Sequence, residues 1–299
     1  MMSKLDRLGE HGADYKDPLS VVDWSATSPS LPWLPPSLLS LAGLDAQKNM
    51  SAEALARFSQ IEFARLCAAG LWLEGLMISR TTSEGFPVTN INEARVMLQE
   101  VREESGHGLL FLEMIERAGL SGVELLGPKR LLTWISHKLS PASPEFWALV
   151  FIGESVTDTF TVKALQLSQK QGNGICPVAH QVLSLHHRDE ARHIAAARTL
   201  LGARVQKMSL VRKQIFNQAL RHLLPQFLTA TLYPTSASLE VLGFSRPYHI
   251  VKAVRACPVR QRIVEACAAP ALEALARMGL YKPDRSITSQ TGNTTEATQ

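Results

Sequence analysis

Apolar side chains recur along most of this chain at spacings of three and four, the period that buries one face of an α-helix, and alternating strand patterns are nearly absent. From Ser51, an N-cap with Glu53 in the first turn, such a pattern runs to about Arg80. Gly85 and Pro87 then punctuate the chain, and a second helix is predicted from near Asn92 to around Gly119. A shorter helix over Lys129–Leu139 is broken by SPASPE, and Phe146 to about Gln171 makes another long one, stopped by the glycines and proline of QGNGICP. His180–Leu201 follows, closed by Gly202, and helical patterns cover Lys207–Leu228 and Arg246–Met278. The expectation is one all-α domain over residues 21–283 whose four longest central helices form a bundle.

The flanking segments differ in character. Residues 1–20 are polar and low in aliphatics, which predicts a flexible arm. In VVDWSATSPSLPWLPPSLLSLAGL, Pro29, Pro32, Pro35 and Pro36 forbid a long helix while Trp24, Trp33, Leu34 and Leu38 offer anchors, so an extended strap across the helical body is expected. Residues 284–299 carry one isoleucine and no aromatic, the composition of a disordered tail.

With 299 residues, 45% of them hydrophobic, the chain has ample material for a sizeable core. A formal charge of +4 with scattered Lys and Arg gives no support to nucleic-acid binding. Cys67, Cys176, Cys257 and Cys267 form no CxxC pair, a usage that predicts free thiols in a reducing cytoplasm. The first eighteen residues lack the apolar core of a signal peptide. The longest apolar run, Phe63–Ile78, is interrupted by Arg65 and Glu74 and falls short of a membrane span of ~20 residues, so no membrane association is expected.

The chemistry concentrates in HHRDEARH, residues 186–193, which places His186, Glu190 and His193 on one helical face. The second helix carries a matching pair, Glu104 and His107, with Met97, Val101, Gly108, Phe111 and Ile115 on the face of Glu104. A buried carboxylate of this kind demands a cation. Two Glu-x-x-His pairs, plus one Glu from each of two other helices, is the ligand plan of ferritin-like di-metal bundles. Glu154 is the natural choice on the helix Phe146–Gln171, with Asp158 as an acceptor one turn on. On the first helix Glu62 and Glu74 lie roughly 120° apart, so only one faces the site. Glu74 is preferred, having Gly70, Leu71, Met77 and Ile78 as face neighbours, whereas Glu62 has Arg65 at i+3 as a surface partner. Asp189 is the best placed residue to orient a ligand histidine, while Arg188, Arg192 and His187 read as solvated or supporting groups and Glu100, on the face of Glu104, as a bundle-end carboxylate. Mixed carboxylate and imidazole ligation suits iron or manganese, and two such ions with bridging carboxylates can take up O₂.

The set Glu74, Glu104, His107, Glu154, His186, Glu190, His193, with its extra histidine four residues before the last Glu, resembles the p-aminobenzoate N-oxygenase (AurF-like) family of di-iron oxygenases. The strap VDWSATSPSLPWLPPSLLSLAGL and the motif HHRDEARH are similar to that family too, and the likeness spans roughly residues 20–280. The resemblance implies a ferritin-like helical bundle with additional helices, forming a homodimer. In it a di-iron centre would use O₂ to oxidise a small amine, often an arylamine, to a hydroxylamine, nitroso or nitro product in specialised metabolism. Electrons would come from an external donor or reductase, since no flavin or iron–sulfur motif is present. The same plan serves rival readings: C-hydroxylation or another oxidation on this fold, a ferroxidase or iron-storage protein, or a helical binding module without metal. For the substrate pocket, Leu71, Phe111 and Phe151 stand one turn from the ligands. Lys163, Arg246 and Arg255 are the cations that could anchor a carboxylate, and Tyr233 and His222 the further hydrogen-bonding groups.

Overall fold

The structure is a computed structural model and describes residues 15–86, 88–126, 130–170 and 174–282. The first fourteen residues of the expected arm and the tail 284–299 lie outside the described residues. All regular elements described are helical. Helix α1 spans Ala52–Ser83, α2 Ile91–Arg117, α3 Arg130–Ser136, α4 Pro144–Lys170, α5 Pro177–Val205, α6 Leu210–Leu232, α7 Ser236–Glu240, α8 Pro247–Ala256 and α9 Pro258–Arg277.

Local signals set most of the boundaries. The Ser51 side chain accepts the Ala54 N–H at 3.2 Å and opens α1; Asn90 does the same for Glu93 at α2. Ser143 accepts from Phe146 at 3.2 Å at the head of α4, and Pro177 starts α5 at a position where its missing N–H costs nothing. Two expected boundaries move. Gly202 does not close its helix, because α5 continues through it to Val205, capped by Gln206 bonding back to Gly202 and Arg204. The pattern expected over Arg246–Met278 breaks at Cys257, which is extended at φ −73° and ψ 118°. Pro258 lacks an N–H and disfavours the helical region for the residue before it, so one apolar pattern becomes α8 and α9.

Two helical hairpins make the bundle: α1 against α2 and α4 against α5, with α9 packed on α4. The core runs between them through Phe58, Ile61, Leu110, Met114, Phe146, Val156 and Leu200, all buried. The strap closes one side. Trp33, Leu34 and Leu38 are buried and Trp24 half-buried; the Trp33 amide donates to Ser59 Oγ at 2.8 Å, and its ring meets Phe63 edge-on at 5.7 Å. Cys176 donates to the Pro32 carbonyl at 2.8 Å, tying the strap to the head of α5. Ahead of the strap, Pro18–Val21 form a single helical turn against α2, with Pro18 buried. Gly106 makes that possible: a Cβ there would stand 3.1 Å from Pro18 and would overlap the Tyr15 hydroxyl.

Candidate metal centre

Each of the four long helices turns a carboxylate inward at the same level. Glu74 comes from α1, Glu104 and His107 from α2, Glu154 from α4, and His186, Glu190 and His193 from α5; all seven are buried. Because i, i+3 and i+4 share a face, one turn of α2 and two turns of α5 deliver five of them. His193 Nδ1 stands 2.7 Å from Glu104 Oε1, and His107 Nδ1 3.1 Å from Glu104 Oε2. Glu190 Oε1 is 3.0 Å from His186 Nε2 and 3.7 Å from both other imidazoles. Glu74 Oε1 lies 3.7 Å from His186 Nε2 and 3.9 Å from His107 Nδ1. Donor atoms of Glu104, His107, Glu190 and His193 thus gather within 4.8 Å of one another, as do those of Glu74, His107 and His186. Glu154 falls outside both groups and sits beside Glu190, which helps raise its pKa.

The outer nitrogens of two histidines face carboxylates. His107 Nε2 points at Asp189 Oδ2, 3.5 Å away, the orienting role expected of Asp189. His193 Nε2 meets Glu103 Oε2 at 3.0 Å, and Glu103 also pairs with Arg192. Both imidazoles therefore turn Nδ1 inward. Glu103 escapes a reading of α2 by faces, since it lies 100° from Glu104; the free nitrogen of His193 was the only signal that an acceptor must stand there. Asp158 binds His187 Nδ1 at 2.5 Å rather than a ligand histidine. Glu100 is buried near His193 and Arg192, not solvated at the bundle end.

The Glu62 and Glu74 alternative separates cleanly in space. Glu62 pairs with Arg65, but this pair is buried, not on the surface: the Nε to Oε1 distance is 3.6 Å and both side chains are at most 2% exposed. Glu62 Oε2 also accepts the Ser40 amide at 3.1 Å, so it serves the strap and stands apart from the histidines.

Four carboxylates and three imidazoles in one buried space hold protons strongly when no other cation balances them. Burial raises Glu74 to about 7, against the pull of His186. Burial and then the charges of Glu190 and Glu104 push Glu154 well above the ordinary range. For Glu104 and Glu190 burial also acts upward, but the histidines outweigh it and hold both below the ordinary value. His107 is lifted to about 10 by Asp189 and Glu104 in spite of burial. His193 is lifted well above the ordinary value by Glu100 and Glu104, again against burial. Even so, Glu74 Oε2, Glu104 Oε1, both Glu190 oxygens and His193 Nδ1 have no aligned hydrogen-bond partner. A buried polar atom without a partner is costly, and here such atoms converge. His193 Nδ1 and Glu104 Oε1, close yet misaligned for a hydrogen bond, are arranged like two ligands of one ion. The donor set fits two divalent ions of the iron or manganese type, whose charge four glutamates would balance.

Residues 3–279 match the family model described as P-aminobenzoate N-oxygenase AurF. The chain belongs to this family. Its all-α bundle is the ferritin-like fold of that family, and membership implies a di-iron centre. Uncharacterized proteins of Mycobacterium tuberculosis and Mycobacterium bovis are 26% identical to it over 207 residues, covering 66% of this chain and 59% of theirs. The chain thus spans about three-fifths of the length of these curated relatives. Among the described residues no helix is long and apolar enough to cross a membrane, and all four cysteines are free and buried.

Proposed function

We propose that this member of the AurF family is an O₂-dependent di-iron N-oxygenase that oxidises a small, weakly basic amine. The observation that carries the reading is the convergence of two buried Glu-x-x-His pairs, on α2 and α5, with Glu74 and His186, where Glu74, Glu104, Glu190 and His193 hold polar atoms without a hydrogen-bond partner. Glu74, Glu104, His107, Glu154, His186, Glu190 and His193 would hold the metals. The iron pair, when bound, supplies O₂ activation.

The remaining work belongs to the chain. Asp189 and Glu103 accept from the outer ring nitrogens of His107 and His193, which fixes the tautomer that presents Nδ1 to the metals. His186 offers Nε2 instead and gives one metal a third imidazole, making the two positions inequivalent. The Phe111 ring stands 5.2 Å from that of His186, tilted by 50°, and with Leu66 and Leu73 would keep water from the amine side. An external reductase or chemical donor supplies electrons, in the cytoplasm. A homodimer is part of the same reading: exposed Ile91, Leu98, Leu109 and Leu112 share one face of α2, with Arg102 and Ser105 between them, and a second copy would cover these apolar side chains.

The test is to load the protein anaerobically with Fe(II), admit one pulse of O₂ with a panel of arylamines, and identify products by mass spectrometry. The expected result is oxygen on nitrogen, as hydroxylamine, nitroso or nitro compound. Oxygen on a ring carbon would move the chain to the C-hydroxylation reading, and iron uptake with no amine oxidised would move it to ferroxidase chemistry.

A further inference from the structure

The cavity beside the metal-ligating groups has a chemistry of its own. Glu74, Glu154 and His186 form its inner wall, and Leu66, Leu73, Phe111, Phe160, Leu183 and Leu232 supply most of the rest. Two of its three threonines are engaged: Thr157 donates to the Gly153 and Glu154 carbonyls, and Thr231 to Phe227, which leaves the Thr161 hydroxyl on the wall. Among the described residues no lysine or arginine lines it. The cations proposed from sequence stand elsewhere. Lys163 is near enough to Cys267 of α9 to pull its pKa down against burial, and Arg246 and Arg255 are exposed. His222 is exposed, and Tyr233 lies under the Arg260 guanidinium.

Two buried guanidiniums come close without entering. Arg65 Nη1 donates to the Thr231 carbonyl at 2.8 Å, and Arg260 donates to the Leu232 carbonyl and, at 2.9 Å, to that of Leu38. Both brace the C-terminal end of α6 from behind the wall that Thr231 and Leu232 make, with Glu62 as their shared counter-charge.

We infer that the substrate is a neutral, apolar arylamine carrying no carboxylate, selected by a cavity in which an anion would find no cation and, of the threonine hydroxyls, only that of Thr161. This deepens the N-oxygenase reading and depends on it. A carboxylate moved from water into such walls loses its hydration and gains no counter-charge. Four glutamates balancing two divalent ions leave no net charge at the inner wall to compensate it. An arylamine is neutral at physiological pH, keeps its nitrogen lone pair free for oxidation, and has a ring that these side chains can cover.

Size calls for a second space beside the first. The inner cavity has a volume of about 60 Å³. A benzene-sized guest takes roughly 150 Å³, so the ring needs more room than the inner space alone. Leu73 also lines an adjoining apolar cavity of about 160 Å³, walled by Trp72, Leu76, Leu149, Leu220 and Phe227. Leu73 lines both, so its rotation would join them into one largely apolar slot that ends at Glu74 and Glu154. Glu145 is the charged group of this cavity and is paired with Arg212; Arg80 lines a third, smaller one of about 20 Å³ that also reaches Leu73 and Glu154, and is paired with Glu84 and the Leu139 carbonyl.

The experiment compares p-toluidine with p-aminobenzoate, which place a methyl and a carboxylate at the same ring position. Binding to Mn(II)-loaded protein is measured calorimetrically without O₂, so no turnover is involved. p-Toluidine is expected to bind at least about 30-fold more tightly. Leu66→Lys, which puts a cation at a half-buried position of the wall, should narrow that ratio by at least about tenfold. Equal or tighter binding of p-aminobenzoate overturns the inference, and its loss in Arg65→Met would show that the guanidinium reaches the cavity. Failure of both ligands to bind a metal-loaded protein also overturns it, while leaving the metal centre intact. Failure of the protein to hold Mn(II) or Fe(II) overturns the N-oxygenase reading itself.

Discussion

At the residue scale, a glutamate's neighbours decide whether it serves a metal or another charge. Glu190 touches all three imidazoles, so Glu190→Ala should abolish binding of the metal pair, and Glu74→Ala should cripple it, as read by metal analysis after anaerobic loading. Glu62→Ala should keep the metals yet destabilise the fold by about 3 kcal/mol in denaturant titration, because it leaves Arg65 buried without its counter-charge. A loss of metal from Glu62→Ala with none from Glu74→Ala would reverse the assignment. The preference for Glu74 was legible in the sequence from the small and apolar residues one turn away. The nature of the Glu62 pair was not: an arginine at i+3 looks like a surface partner until Arg260 and the strap, both distant in sequence, close over it. Glu103 was illegible for a related reason, since its partner lies 90 residues away on another helix.

At the scale of elements, periodicity found the long helices because each buries one face over many turns. The junction at Cys257 was missed because apolar spacing continues straight through it while Pro258 alone breaks the backbone. Glycines mark the close approaches. Gly70 receives Phe111, whose ring atom would lie 3.0 Å or less from a Cβ at that position. Gly70→Ala should therefore push Phe111 toward His186 and into the cavity. The expected result is weaker arylamine binding, by about tenfold, with metal content unchanged. Unchanged binding would show that Phe111 does not border the substrate. Gly106 plays the corresponding part for the N-terminal segment. Gly106→Leu should release Tyr15 and Pro18 from α2 and expose the sites near them to limited proteolysis.

For the whole molecule, the centre makes stability depend jointly on metal and protons. Glu74 rises from 4.5 to about 7 on folding, so the metal-free protein binds more protons than its unfolded chain in that interval and loses stability as pH rises through it. His107 acts with the same sign at higher pH: raised from 6.5 to about 10, it adds stability below the lower value that is lost as pH climbs through the upper one. Metal binding requires these groups without protons, so affinity increases with pH. The gap in Tm between loaded and metal-free protein should widen between about pH 5 and about pH 8, with protons released on loading in a weakly buffered solution. A gap that narrows with pH would contradict the ligand set.

The central claim is that four helices of this chain build one dinuclear metal centre, and the measurement that tests it most directly is metal content after anaerobic reconstitution with Fe(II) and removal of unbound ion. Wild type is predicted to hold about two irons per chain and Glu190→Ala far less. Fewer than about one iron per wild-type chain, or the same content in the Glu190→Ala protein, would contradict it.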